Sequence, residues 1–427
     1  MVSIALLGSL VIFLILNVPV GIALGVASLM AIFAGDSLSP GYVAQALVTG
    51  CDSFPILAIP LFILAGELMG AGGVSKRILD VCNVFFGRIT GGLAIVTVVV
   101  CMFFAAVSGS GPATVAAVGS MVVPAMLQKG YGQPFTLALI ATAGTIGVII
   151  PPSIPMVLFG VSTATSISNL FLAGFLPGIL VGGALIAWCY FYCKRQGWHG
   201  DDEPFSWEKA AKTTWEAKWA LINPVIILGG IYAGIFTPTE AAAVAVVYAF
   251  ICGVFIHREL TFKTLARPIG GACSTTGTVM VILGCATAFT KILTIEQIPA
   301  MVTQALIGVT SNPILLLLLI NLLLLLVGCF MDTTPAIIVL SPILLPVAVS
   351  AGMDPVHFGL VMVVNLAIGF ITPPLGINLF VATRLGGVPL EVVLKGIVPF
   401  IVVMIGCLIV LTYVPQISLF LPRMLAG

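Results

Sequence analysis

Long apolar stretches separated by short polar segments run along most of the chain. Ser168–Cys193 and Val392–Val414 are two of many stretches of about the 20 residues that a helix needs to cross a bilayer. The N-terminal stretch Met1–Phe33 is also apolar, but Asn17-Val-Pro19 interrupts it, which predicts a helix that is kinked or split near Pro19. The pattern predicts an all-α polytopic membrane protein.

Two short segments break this apolar pattern in the same way. IGVIIPPS occupies Ile146–Ser153 and IGFITPPL occupies Ile368–Leu375, and each places a glycine and a double proline inside an apolar helical run. Proline lacks a backbone donor and clashes with the preceding turn, so a double proline ends a helix. The sequence therefore predicts one broken helix in each half of the chain.

The two breaks belong to a longer repeat with a constant spacing. The matching pairs are Pro124 and Pro346, Gly130 and Gly352, Gly147 and Gly369, Pro151 and Pro373, and Pro152 and Pro374, each 222 apart (346 − 124 = 222). One spacing held across about 30 residues predicts an internal duplication.

A polar turn between two apolar arms precedes each break. Ser108–Thr114 reads SGSGPAT, and Gly328–Pro335 reads GCFMDTTP. Glycines and hydroxyl residues leave main-chain groups free at such a turn, and proline suits the first turn of the helix that follows. We expect re-entrant hairpins at about 91–127 and 312–350, followed by broken helices at 134–165 and 355–384.

Paired helix breaks inside a bilayer indicate where a transporter binds its cargo. Main-chain carbonyls freed in hydrocarbon persist only where protein buries them or a polar cavity receives them. Apolar segments interrupted by glycine and proline at corresponding places in two halves are a sequence sign of a secondary transporter's substrate and cation sites. The alternative is a pair of kinked helices that bind nothing.

Several charged residues within apolar stretches have two interpretations. Asp332 directly follows an apolar run, so its carboxylate needs a cation or several donors, although Asp-Thr-Thr-Pro also fits a helix N-cap and the two roles are compatible. Glu67 faces either a cavity or the membrane interface. Arg384 either contributes to an anion site or extends its side chain to a surface. Lys291 has the same two interpretations, and extension to a surface is favoured for it. For Glu240 we favour helix capping.

The composition excludes several classes of protein. Of the 427 residues, 60% are hydrophobic and 7% are charged, against about 25% charged in soluble domains. A net charge of +1 gives no electrostatic footprint for nucleic acid. The ten cysteines form no CxxC pair and the three histidines are isolated, so neither an enzyme active site nor a cysteine- or histidine-based metal centre is expected.

One long segment is rich in charge. Lys194–Trp219 carries acidic and basic residues with tryptophans at roughly helical spacing, which predicts an amphipathic connector lying at the membrane interface. We therefore divide the chain into a first repeat at 1–193, the connector at 194–219 and a second repeat at 220–427. Lysine and arginine cluster at 76–88, 194–218 and 258–267, but these sparse loops leave the orientation open.

The motifs resemble those of a known family. SGSGPAT, IGVIIPPS, FTPTEAAAVA, MDTTPA and IGFITPPLGINLF occur in this order, and together they resemble the large membrane subunit (M subunit) of tripartite ATP-independent periplasmic (TRAP) transporters. The resemblance covers essentially the whole chain. It implies a multi-pass protein of the bacterial inner membrane, with two inverted repeats and an elevator-type architecture.

The resemblance also implies partners and cargo. Such a subunit works with a small four-helix membrane subunit and a periplasmic substrate-binding protein, and it is surrounded by lipid. It takes up a small-molecule carboxylate by symport with Na⁺, at two or more sodium sites. Overall likeness favours sialic acid as cargo, with C4-dicarboxylates second.

Site residues are carried over by position from the same resemblance. The expected sodium ligands are Ser108, Gly109, Ser110, Gly144, Val148 and Ile150 in the first copy, and Gly328, Asp332, Gly369 and Thr372 in the second. The expected substrate-binding residues are Ser110, Pro112, Thr114, Pro152, Asp332, Thr333, Thr334, Pro374 and Asn378. Two alternatives stay open: a dicarboxylate/sodium symporter that needs no binding protein, and an anion channel.

Overall fold

The structure, a computed structural model, describes residues 2–16, 18–35, 38–200, 205–310 and 312–425, and within these ranges all regular secondary structure is helical. The helices of the first half are α1 Val2–Ile15, α2 Val20–Phe33, α3 Gly41–Thr49, α4 Ala58–Ala71, α5 Val74–Phe86, α6 Gly92–Ser108, α7 Gly111–Gln128, α8 Gln133–Ala143, α9 Ile154–Thr163 and α10 Ile167–Gln196. Those of the second half are α11 Trp207–Tyr232, α12 Pro238–Ile251, α13 Ala266–Ile295, α14 Ile298–Val309, α15 Pro313–Phe330, α16 Thr333–Ser350, α17 Pro355–Gly369, α18 Ile377–Gly386, α19 Leu390–Tyr413 and α20 Pro415–Leu425.

Many of these helices are suited to a bilayer. Among the described residues, eight helical segments are long and apolar enough to cross a membrane. Large apolar side chains such as Leu322, Phe330 and Val402 lie more than half exposed on the outer surface, where lipid would cover them. The prediction of an all-α polytopic membrane protein is confirmed.

The N-terminal stretch is split where proline predicts a break. α1 ends at Ile15, and Pro19 is the N-cap of α2 with φ −53° and ψ 131°. Asn17, part of the predicted interruption, lies outside the described residues.

The duplicated unit is visible in the helix bounds. α7 and α16 begin at residues 111 and 333 and end at 128 and 350, so both ends differ by 222 (333 − 111 = 350 − 128 = 222). α6, α8 and α9 correspond to α15, α17 and α18, whose first residues lie 221, 222 and 223 positions later (313 − 92, 355 − 133 and 377 − 154). Each copy thus contains a helical hairpin followed by a helix broken at the double proline, and both Pro-Pro bonds are cis.

The connector and the C-terminus differ from the sequence prediction. The charged part of the connector continues without a break into the following apolar segment as α11, which contains Pro224; residues 201–204 lie outside the described part. At the C-terminus the last predicted span, Val392–Val414, becomes α19 followed by the separate helix α20. Val414 precedes a proline and has φ −119° and ψ 75°, a non-helical conformation that such residues favour.

The two copies differ in burial around their breaks. Residues 135–160, which include most of α8, the first double proline and most of α9, are all buried. The segment 373–375 of the second break is exposed. The first break therefore lies inside the bundle, and the second lies at its surface.

The predicted cap at Glu240 is confirmed and allows a test of stability. The Thr237 side chain accepts from the Glu240 amide at 3.3 Å, and Glu240 Oε2 accepts from the Thr237 amide at 2.8 Å, which is a complete capping box. Thr237→Ala should lower the free energy of unfolding by about 1 kcal/mol, measured as a lower Tm in detergent. Thr214→Ala, a helical threonine within α11, should leave Tm unchanged, and equal losses in both variants would contradict the capping role.

Candidate functional site

The first hairpin tip is held by a small hydroxyl network. α6 ends at Ser108, Gly109 takes φ +62°, and extended Ser110 precedes Pro112 in the first turn of α7. Thr114 Oγ1 donates to the Ser110 carbonyl at 2.8 Å and lies 2.9 Å from Ser108 Oγ. Several oxygen atoms are thus gathered within one turn.

The first break packs directly against this tip. The Ile154 amide donates to the Gly109 carbonyl at 3.3 Å, and Ser153 Oγ donates to the Val148 carbonyl at 2.6 Å. A Cβ placed on Gly147 would lie 2.6 Å from the Ser110 carbonyl oxygen, and one on Gly109 would lie 2.8 Å from a main-chain oxygen of the break. These glycines permit the close approach.

The second tip is built around an aspartate. Asp332 is the N-cap of α16, and its Oδ1 accepts from the Thr333 amide at 2.7 Å and from the Thr333 hydroxyl at 3.4 Å. The predicted capping role is therefore confirmed. The carboxylate also lines a cavity, so capping does not remove it from a candidate site.

The second break contacts its own hairpin through glycines. Gly369 lies so close to Gly328 that a Cβ would clash with the Gly328 carbonyl. The Leu375 amide donates to the Cys329 carbonyl at 3.0 Å, and Thr372 Oγ1 donates to a carbonyl one turn earlier at 2.8 Å. Hairpin and break are joined in both copies.

The two copies also contact each other. Asn378 is fully buried, and its Nδ2 donates to the Ala141 carbonyl in α8 at 2.9 Å. The Phe370 ring lies beside Gly111, 3.0 Å from the position that a Cβ would take. These contacts place the two broken helices side by side.

A cavity of about 300 Å³ lies where the tips meet. Of the predicted site residues, it is lined by Ser108, Gly109, Ser110, Pro112, Val148, Asp332, Thr333 and Thr334. The opposite wall comes from α4 and α13, through Ile63, Gly66, Glu67, Thr275 and Val279. The cavity therefore lies between the hairpin tips and two helices, α4 and α13, that also pack against α6 and α16.

The other predicted site residues lie away from this wall. They are Gly144, Ile150, Gly328, Gly369, Thr372, Thr114, Pro152, Pro374 and Asn378. The Ile150 side chain packs on Gly178 of α10, and Pro374 is exposed. Thr114 and the three glycines lie behind the tips, in contacts that shape them. Their roles as ligands stay predictions.

Sequence reasoning left out part of the lining. The sequence does not decide whether Glu67 faces a cavity or the membrane interface. In the structure it lies in the cavity wall. Phe370 and Thr275 gave no sequence signal, because an aromatic or hydroxyl residue in an apolar run does not show which way it faces.

The chemistry of the cavity suits a cation and an anion together. Carboxylate, hydroxyl and main-chain oxygens are the donors that hard cations take. The N-termini of α7 and α16 lie at the cavity and present the positive ends of their helix dipoles, which favour an anion. Among the residues described, no group of three His, Cys, Asp or Glu side chains could hold a transition metal.

The sequence matches a known family over nearly its whole length. The family model described as the DctM component of tripartite ATP-independent periplasmic transporters matches residues 7–417. The chain belongs to this family. It is 50% identical over 415 residues to the isethionate TRAP transporter permease protein DctMQ of Oleidesulfovibrio alaskensis, covering 97% of this chain and 65% of that protein, so the chain spans about two thirds of that relative's length.

Two further relatives match over nearly their full length. The C4-dicarboxylate TRAP transporter large permease protein DctM of Vibrio cholerae is 41% identical, with 100% of this chain and 98% of that protein covered. The sialic acid TRAP transporter large permease protein SiaM of the same species is 37% identical, with 96% of each chain covered. The resemblance to the TRAP large membrane subunit is confirmed.

A solved structure shares the fold. The YdaH transporter of Alcanivorax borkumensis, whose topology is described as unusual, superimposes with a TM-score of 0.59 at 16% identity over 87% of each chain. At this identity the likeness concerns the fold alone. It agrees with the all-helical transporter architecture predicted from the sequence.

Proposed function

We propose that this TRAP large membrane subunit carries an organic acid across the bacterial inner membrane by symport with Na⁺, after a periplasmic substrate-binding protein delivers the acid. The observation that supports it is the meeting of two hairpin tips and two helix breaks around one cavity, whose lining includes Asp332, Ser108 and Thr334. A small four-helix membrane subunit is the second partner.

Each copy would hold a sodium ion where its tip contacts its break. In the first copy, the hydroxyl of Ser108 and the carbonyls of Gly109, Ser110 and Val148 lie within the contacts described above. In the second copy, Asp332 supplies a carboxylate, and its Oδ2 lies outside the two hydrogen bonds that Oδ1 accepts. Sodium bound at both places would place positive charge beside the cavity.

The acid would bind between the two tips. Its carboxylate would face the N-termini of α7 and α16 and the nearby sodium ions, because no lysine or arginine side chain is among the described residues lining this cavity. Sialic acid, the first expectation from the sequence, is one acid to test. Succinate and isethionate belong beside it, because relatives of higher identity are named for C4-dicarboxylates and isethionate.

Transport would follow an elevator mechanism. The cavity lies between α4 and α13 on one side and the hairpins and breaks on the other. With sodium and acid bound, the hairpins and breaks would move together against these two helices and carry the cavity to the other face of the membrane.

Uptake into proteoliposomes tests the proposal. Vesicles containing this chain and its small subunit are given the binding protein, labelled acid and an inward sodium gradient. We expect accumulation above the outside concentration, lost when potassium replaces sodium and lost when the binding protein is omitted. Accumulation without the binding protein would indicate a self-sufficient symporter. Flux that only equilibrates the acid, whatever the sodium gradient, would indicate a channel.

A further inference from the structure

A second, larger cavity adjoins the one between the tips. It measures about 520 Å³, and the two cavities share Gly66, Glu67 and Ala113 in their walls. Its far end is lined by Lys76 at the start of α5 and by Arg267 at the start of α13. The pair of cavities therefore forms one crevice along α4, from the tips to a polar edge of the bundle.

Charge is distributed unevenly along this crevice. Lys76 and Arg267 are the basic side chains among the described residues that line either cavity. Glu259 also lines the larger cavity, but its carboxylate is paired with Arg77 at 2.7 Å. His257 adds no charge at neutral pH, because burial lowers the pKa of its ring. The far end is thus net positive.

Glu67 lies at the neck between the cavities. Its side chain is half-buried, and its carboxylate has no hydrogen-bond or ion-pair partner among the described residues. An acid leaving the tips passes this negative charge before it meets Lys76 and Arg267. An anion that moves along the crevice is therefore repelled by Glu67 and then attracted by Lys76 and Arg267.

The far end lies on the face where the basic segments of the chain meet. α5 packs against α11, Arg77 pairs with Glu259, and the Gly91 amide donates to the Trp198 carbonyl at 3.0 Å. The clusters at 76–88, 194–218 and 258–267 are thereby brought together. The separate loops leave the orientation open, but together they place many lysines and arginines on one face, and from the positive-inside rule we infer that this face is cytoplasmic.

We propose that the larger cavity is the route by which the organic acid passes between the tips and the cytoplasm, with Lys76 and Arg267 as a transient anion site and Glu67 as the charge that separates it from the tips. The proposal rests on the proposed function for the identity of the anion as cargo. The charge pattern itself can be tested without transport.

Thiol labelling measures the potential in the larger cavity. Ala71 is exposed at the end of α4 and lines this cavity, so Ala71→Cys serves as the reporter, in a Cys273→Ser background that removes an exposed native thiol. We compare the labelling rates of two methanethiosulfonates in inverted membrane vesicles, one with an anionic sulfonate and one with a cationic trimethylammonium group. The labelling of the chain without Ala71→Cys is subtracted as background.

We expect the anionic reagent to be favoured, and each of Lys76→Gln and Arg267→Gln to lower the anionic-to-cationic rate ratio about threefold. Glu67→Gln should raise the ratio. Lys263→Gln, an exposed lysine four residues before Arg267 that lines neither cavity, is the matched control and should leave it unchanged. An unchanged ratio in both cavity variants, or labelling only from the periplasmic side, would overturn the proposal.

Transport distinguishes this proposal from the proposed function. In the reconstituted complex with sialic acid, succinate or isethionate, the Lys76→Gln/Arg267→Gln pair should lower the maximal uptake rate several-fold, with the sodium dependence unchanged. If the parent complex shows no sodium-driven uptake, the proposed function fails and the labelling ratios still decide whether the cavity attracts anions. If uptake is intact and the paired variant matches the parent, the transient site is wrong.

Discussion

Replacing Asp332 with alanine should abolish sodium-driven uptake of the acid. The carboxylate lines the cavity between the tips, in a part of the chain where few charges are available to hold a cation. Removing one partner of a desolvated ion pair costs about 3–5 kcal/mol, which corresponds to a loss of sodium affinity on the order of 100-fold or more. The measurement is the initial rate of uptake in proteoliposomes as a function of sodium concentration.

The chain offers a matched control, because Asp354 is also the N-cap of a helix. It accepts from the Val356 amide at 2.8 Å and the His357 amide at 3.3 Å at the start of α17, and it lies outside the cavity lining. Asp354→Ala should cost about 1 kcal/mol of stability and leave uptake intact.

Asparagine separates the two roles at position 332. Asp332→Asn keeps a good N-cap but removes the charge, so it should fold as stably as the parent and still fail to couple uptake to sodium. Sodium-dependent uptake in this variant equal to that of the parent would remove Asp332 from the cation site.

Adding one methyl group at Gly369 should weaken sodium binding without touching any proposed side-chain ligand. A Cβ there would clash with the Gly328 carbonyl, so the second hairpin and its break would have to move apart. Overpacking of this kind costs about 1–3 kcal/mol. We expect the sodium concentration for half-maximal uptake by Gly369→Ala to rise about tenfold or more.

Gly406→Ala is the control for the added methyl group. Gly406 lies in α19 with no neighbouring atom within 4 Å of a new Cβ, and alanine favours a helix over glycine by about 1 kcal/mol. This variant should keep its sodium dependence and match or exceed the parent in Tm. A normal sodium response in both glycine variants would contradict the contact between hairpin and break as a sodium site.

Sequence reasoning located the hairpins and breaks because proline and glycine act on the chain locally. A double proline ends a helix whatever surrounds it, and the constant spacing of 222 predicts the same break in both copies. The predicted hairpin at about 91–127 therefore agrees closely with α6 and α7. Pro224 shows the limit of such reasoning, since a proline inside α11 did not divide that helix.

Contacts between distant parts of the chain could not be predicted in this way. Asn378 is an expected substrate-binding residue, but nothing local indicates that it donates to Ala141, which lies 237 residues earlier (378 − 141 = 237). The same holds for Glu67. The sequence shows a charged residue within a span, but it does not show which neighbouring helices or cavity the side chain faces. These positions depend on packing between helices.

The amide of Asn378 has a consequence for the independence of the two copies. Its Nδ2 is satisfied only by a carbonyl of the other copy, and its Oδ1 is already without a partner among the described residues. Left without that carbonyl, a buried amide donor would cost about 1–3 kcal/mol. The second copy by itself would therefore carry an unpaired amide donor in its core, so the two halves of the chain depend on each other for stability.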